Sequence, residues 1–160
     1  MLADVVIDTN ILLHAENKQE QRQQSCQILI DLLRDVDSKL CVDVGFDFEE
    51  SNNRSIIGQE YIKHLRAGSL GYALVEYLAR SGRVSILPRS VPPSVMRHIK
   101  QIPKGPDRTY VRVANNSKDK TFVSHDFNDI PLTVRKRIKD AIDVCIVDAN
   151  EAAVSMQCVT

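Results

Sequence analysis

Five acids stand where an acid can do chemistry: Asp8, Asp43, Glu60, Asp107 and Asp126. Asp8 follows the β-branched run Val5-Val6-Ile7, which reads as a strand buried on both faces. Asp43 lies near the end of a second apolar run, KLCVDVGF, and Asp126 just after a third, KTFVS. Asp107 opens the helical segment PDRTYVRVANN, where it can cap the helix or sit as an anion at the positive end of its dipole. Glu60 falls on a helix that follows the second strand. In open α/β sheets ligands bind beyond the carboxyl ends of the strands, so these acids, distant in sequence, should converge on one rim. Carboxylates gathered there repel one another unless a cation holds them. A hard ion that selects oxygen ligands, Mg²⁺ or Mn²⁺, suits such a set.

The elements that would position these acids alternate along the chain. A short helix is expected from Asn10 to about Glu16 and a longer one over Gln19–Val36, where Cys26, Leu29, Ile30, Leu33 and Val36 recur at helical spacing. NRSIIGQEYIKHLRAG places Ile57, Tyr61 and Leu65 on one helical face, with Gly68 as a stop. GYALVEYLARSG and PLTVRKRIKDAI read as further helices, and Pro131 suits a first turn. The expected strands include Val5–Ile7, Leu40–Val42, Thr121–Val123 and Val144–Val147, with RVSILP as a strand or an extended piece. Strands that alternate with helices imply right-handed crossovers. The expected fold is therefore a three-layer α/β/α sandwich around a mainly parallel sheet of four to five strands, one domain over residues 1–160.

Composition agrees with a globular protein: 43% apolar and 26% charged residues in 160. No stretch resembles a transmembrane span or a secretory signal. Cys26, Cys41, Cys145 and Cys158 form no C-x-x-C pair, so neither a zinc site nor a disulfide framework is indicated, and a reducing cytoplasm is the expected compartment. The formal net charge is zero, but Arg97 to Lys139 holds 11 basic residues against 4 acids. Such a block reads either as a solvated face or as a surface for phosphates.

In order and distance from the N-terminus, VVIDTN, DRTYVRVA and KDKTFVSHDF resemble the PIN domain across nearly the whole chain. The segment VDVGFDFEESNNRSIIGQEYIKHL is similar to a prokaryotic subgroup with an Asp after the second strand and a helical Glu-Tyr. The resemblance implies a Mg²⁺- or Mn²⁺-dependent endoribonuclease that cuts single-stranded RNA, as the toxin of a toxin–antitoxin pair or an RNA-processing nuclease. It implies Asp8, Glu60, Asp107 and Asp126 as metal-binding catalytic acids, with Asp43 as an auxiliary ligand. Thr9, Asn10 and Ser124 would support them, Thr9 and Asn10 by hydrogen bonds to the Asp8 carboxylate. Lys104, Arg108, Arg112, Lys118 and Lys120 would hold flanking phosphates. An antitoxin protein and a homodimer are the implied partners, and no membrane. A catalytically inactive PIN-like module that binds nucleic acid or protein is the competing reading.

Each of these residues also has a plainer role. Asp8 and Asp107 can act as helix caps, Asp43 can equally be a structural acid, and HDFND can be an Asx-type turn. Asp47, Glu49 or Glu50 can stand in for Glu60. His125 reads as an exposed loop histidine rather than a proton shuttle, and His14, His64 and His98 share no ligand spacing. RKRIK at 135–139 reads as a solvated helix face. A phosphoacceptor signalling domain would want paired acids at the first strand and a Lys after the fifth, which the Asp8-Thr9-Asn10 opening does not match.

Overall fold

The computed structural model describes residues 2–158. Met1, Val159 and Thr160, which the single-domain expectation also covers, lie outside the described residues. Five strands, β1 (Asp4–Ile7), β2 (Lys39–Asp43), β3 (Val84–Leu87), β4 (Thr121–Val123) and β5 (Cys145–Val147), form one sheet in the order β3-β2-β1-β4-β5. Every pairing is parallel. The helices are α1 (Thr9–His14), α2 (Gln23–Asp35), α3 (Ile56–His64), α4 (Leu70–Arg80), α5 (Pro93–Ile99), α6 (Gly105–Asn116), α7 (Leu132–Ile142) and α8 (Ala149–Gln157). On one side of the sheet α2 packs against α4 and α8; on the other, α6 contacts α3, α5 and three strands, and α5 meets α7. The architecture is thus the expected α/β/α sandwich.

Burial explains why the central strands carry no alternation. Val5, Val6, Ile7, Cys41, Val42, Phe122 and Val123 have no exposed surface, because helices cover both faces of a parallel sheet. β3 lies at the edge, and its residues are only partly covered. Two helices, α5 and α8, were not apparent in the sequence. α5 is a seven-residue segment that starts at Pro93, and α8 is held by a capping box between Asp148 and Glu151. No helix among the described residues is long and apolar enough to cross a membrane.

Register determines which residues meet at the rim. Val6 pairs with Phe122 and Ile7 with Val123, so the next residues, Asp8 and Ser124, emerge side by side at the carboxyl ends of β1 and β4. The Asp8 N–H extends the ladder by donating to the Val123 carbonyl at 2.9 Å. Lys118 and Lys120 precede β4 and lie at the opposite edge of the sheet. Lys118 there borders a depression with Leu2, Asp4, Asp37 and Ser38. The expectation that these two lysines hold phosphates beside the acids is therefore corrected by strand direction alone.

Candidate metal centre

Asp8 terminates β1 and caps α1, and its carboxylate is tightly held. Ser124 Oγ donates to Oδ2 at 2.7 Å, Asn10 Nδ2 to the same oxygen at 3.1 Å, and the Asn10 N–H to Oδ1 at 3.4 Å. The cap and the functional placement thus coincide in one side chain. Burial pushes the Asp8 carboxyl up to about 6 against the opposing effect of these bonds, and the charges of Asp126 and Glu60 add to the rise. Ser124 Oγ also accepts from the Asp126 N–H at 3.1 Å, so one hydroxyl links the first and fourth acids.

Thr9 does not hold Asp8 as expected. Its hydroxyl bonds Tyr110 Oη at 2.8 Å, and on the other side of Asp8 the Tyr61 hydroxyl donates to the Ile7 carbonyl at 2.6 Å. Tyr61 follows Glu60 on α3, and Tyr110 lies one turn after Asp107 on α6. Each acid-bearing helix therefore locks the strand tip that presents Asp8. Thr9→Val should cost about 1 kcal/mol, the worth of one buried hydrogen bond with Tyr110 left unpaired, read as a lowered urea midpoint with no change in slope.

Asp107 sits in the first turn of α6, but Lys104 occupies the cap position and no side-chain cap bond forms. The cap reading of Asp107 is therefore replaced. Its side chain is buried, and Oδ2 has no hydrogen-bond partner. One oxygen each of Asp107, Asp126 and Asp129 lie within 4.8 Å of one another. Burial pushes the Asp107 carboxyl up to about 7, with Asp8 and then Asp126 adding repulsion and the Lys104 charge countering it. Asp129 was missed in the sequence. Its N–H donates to Asp126 Oδ1 at 3.0 Å, a bond three residues on where an Asx turn spans two. A turn is legible in HDFND, but the direction of the Asp129 side chain is not.

Glu60 is near enough to act on Asp8 and Tyr110, and its Oε2 lies 3.4 Å from His64 Nε2. Glu49 and Glu50 border a different depression with Phe48, Ile62 and Tyr72, and Asp47 accepts from the Glu49 N–H. Asp43 is the one acid of the expected set committed elsewhere. Fully buried, it accepts from Ser55 Oγ at 2.5 Å, the Ile56 and Ile57 N–H groups at 2.7 and 2.9 Å, and Arg89 Nη1 at 2.9 Å. Of its two expected readings, structural acid and auxiliary ligand, these contacts match the first: it anchors the start of α3, and four donors already share its two oxygens.

The basic residues divide in the same way. Arg108 donates to the carbonyls of Ile102 and Lys100, and Arg112 to that of Arg89, so both guanidinium groups brace backbone. Lys104 alone of the expected set stands at the acids, 66% exposed, with Nζ 2.6 Å from Asp129 Oδ2.

A second group, His14, Cys26 and His125, has donor atoms close enough for an ion, but its hydrogen bonds assign another role. The Ala149 N–H donates to His125 Nε2 at 3.1 Å, which leaves the ring proton on Nδ1. That nitrogen faces His14 Nδ1 at 3.2 Å and Cys26 Sγ at 3.7 Å, and a protonated nitrogen has no lone pair for a metal. Burial, aided by Arg22, holds His125 down at about 4, and burial pushes the Cys26 thiol up to about 12. The three form a stitch between α1, α2 and the start of α8. His125 is thus a buried structural residue, contrary to the exposed-loop expectation.

Fold and site together define an all-parallel α/β protein with a carboxylate cluster at the carboxyl edge of β1 and β4. No family model matches the chain, and no curated protein or solved structure matches it either.

Proposed function

We propose that this chain is a Mg²⁺- or Mn²⁺-dependent endoribonuclease of the PIN type. The observation that carries the reading is Asp107 Oδ2, a buried carboxylate oxygen without a hydrogen-bond partner, on an acid grouped with Asp126 and Asp129. A buried polar atom left unpaired is costly, and a divalent ion would both supply its partner and offset the burial and mutual repulsion that raise Asp8 and Asp107. The donor set is oxygen only, which suits Mg²⁺ or Mn²⁺. Asp8, Glu60, Asp107 and Asp126 would hold the metal, with Asp129 as an additional carboxylate.

When bound, the metal supplies Lewis-acid polarisation of a phosphoryl oxygen and acidifies a water. The chain's own contribution is orientation. Ser124 and Asn10 aim the Asp8 carboxylate, while Tyr61 holds the Ile7 carbonyl before it and Tyr110 the Thr9 hydroxyl after it. Lys104, exposed at the rim, is the cation best placed to meet a substrate phosphate. In the proposed hydrolysis, water adds at phosphorus and the bond to O3′ breaks, leaving 5′-phosphate and 3′-hydroxyl ends. Such an activity would serve a toxin with a cognate antitoxin or an RNA-processing nuclease.

The test is incubation of the protein with end-labelled single-stranded RNA in Mn²⁺, in Mg²⁺ and in EDTA. Cleavage should require the metal and leave 5′-phosphate ends. Cleavage that persists in EDTA overturns the metal-dependent reading. Mn²⁺ binding without cleavage across varied RNAs selects the inactive binding module instead.

A further inference from the structure

We propose that Arg135 is a positioning residue of the metal site: it clamps the backbone that presents Ser124 and Asp126, an inference that rests on the metal-centre reading above. Arg135 begins the run RKRIK, yet its side chain is buried beneath the loop that follows β4. Nε donates to the Ile130 carbonyl at 2.7 Å, Nη1 to the Ser124 carbonyl at 2.9 Å, and Nη2 to the Asp126 carbonyl at 3.3 Å. The guanidinium lies 4.1 Å from the centre of the Phe127 ring, and Arg22 covers that ring at 4.3 Å.

These contacts bear on the site through geometry. The carbonyls of Ser124 and Asp126 belong to the two residues whose side chains face the acids, where Ser124 Oγ bonds Asp8 and Asp126 joins Asp107 and Asp129. Fixing a residue's carbonyl limits the rotation of its backbone and so the direction in which its side chain leaves. Beyond Val123, the sheet bond from the Ser124 N–H to Val147 is followed by turn bonds within the loop, from Phe127 to His125 and from Ile130 to Asp126. A planar fork can reach three carbonyls at once, whereas an ammonium on a flexible stem cannot reproduce that spread. The charge is therefore spent on the shape of the loop and not on RNA.

Arg83 provides a matched control. From just before β3, its guanidinium donates to the carbonyls of Leu33, Val36 and Ser38 between α2 and β2, at the opposite edge of the sheet from the acids. Arg135→Lys and Arg83→Lys should both lower thermal stability. Only Arg135→Lys should weaken Mn²⁺ affinity, by about 10- to 100-fold, the scale seen when a group that orients a metal ligand is lost. Equal Mn²⁺ affinity in folded Arg135→Lys and wild type overturns the proposal, as does an equal loss in Arg83→Lys. If Arg135→Lys does not fold, Phe127→Leu removes the stacking surface but keeps the guanidinium. It should weaken Mn²⁺ binding by a smaller factor, and unchanged affinity counts against the clamp. If wild type binds no Mn²⁺, the metal-centre reading falls, and amide hydrogen exchange in the metal-free protein decides on Arg135. Exchange at Asp129 and Ile130 should accelerate in Arg135→Lys and not in Arg83→Lys; unchanged exchange shows that the loop does not depend on the clamp.

Discussion

Asp8→Asn is expected to lower Mn²⁺-dependent RNA cleavage by at least about 100-fold while raising the melting temperature of the metal-free protein at neutral pH. Both effects follow from one buried charge. In the folded chain the Asp8 carboxyl stands at about 6 against an ordinary 3.8, so the native state favours its protonated form. The stability linked to that form is fully present below about pH 4 and is lost as pH rises through 6. At roughly 1.4 kcal/mol per unit, the loss is at most about 3 kcal/mol. Asn keeps the shape and carries no charge, so it avoids this loss. Asp107 gains as well, because the Asp8 charge is one of the forces that raise it.

The difference in melting temperature between Asp8→Asn and wild type should therefore be near zero at pH 4 and reach several degrees above pH 7, in EDTA. His125, depressed to about 4, has the opposite dependence, since its contribution is present above its unfolded value and is lost as pH falls through 4. It is common to both proteins and cancels in the difference. Saturating Mn²⁺ should stabilise wild type more than the variant, because only tight binding to the folded state contributes. Equal cleavage by the two proteins, or a melting difference that does not change with pH, would sink the electrostatic account of the site.

Asp43→Ala should act in the opposite direction and lower stability by roughly 3 kcal/mol or more at pH 7, measured by urea unfolding. The carboxylate is fully buried but completely partnered. Its removal leaves the Ile56 and Ile57 N–H groups and Arg89 without their acceptor. Arg89 retains 31% side-chain exposure, so water relieves part of its loss, whereas the buried Ile57 N–H has less recourse. Stability that is unchanged or raised, as expected at Asp8, would return Asp43 to the set of metal ligands. The two buried acids thus separate on the sign of one measurement: a charge that faces other acids without a cation is relieved by neutralisation, and one paired with Arg89 is missed.

That difference marks the limit of what local sequence can convey. Val5-Val6-Ile7 and Thr121-Phe122-Val123 announce buried strands because burial on both faces leaves no polar position, and the intervening helical periods imply crossovers and a parallel sheet. Once the sheet is parallel, an acid just after a strand must lie at its carboxyl rim, so the placement of Asp8 and Asp126 at that rim is legible in the sequence. Asp43 looked the same in sequence. Its donors come from Ser55, the start of α3 and Arg89, and nothing near KLCVDV announces them. Thr9 similarly bonds Tyr110 across 101 residues, while Asn10, two residues from Asp8, fulfilled its expected role.

Among the basic residues the same physics decides. Lys118 and Lys120 share a charged stretch with the acids but precede β4, and strand direction sends them to the far edge. Arg108 and Arg112 are expected to hold phosphates and Arg135 to lie on a solvated helix face, yet each guanidinium donates to main-chain carbonyls. Local polarity and period, which depend on near neighbours, are written in the chain itself. The partner of a buried polar group is decided by register and crossover, and these exist only once distant segments have packed.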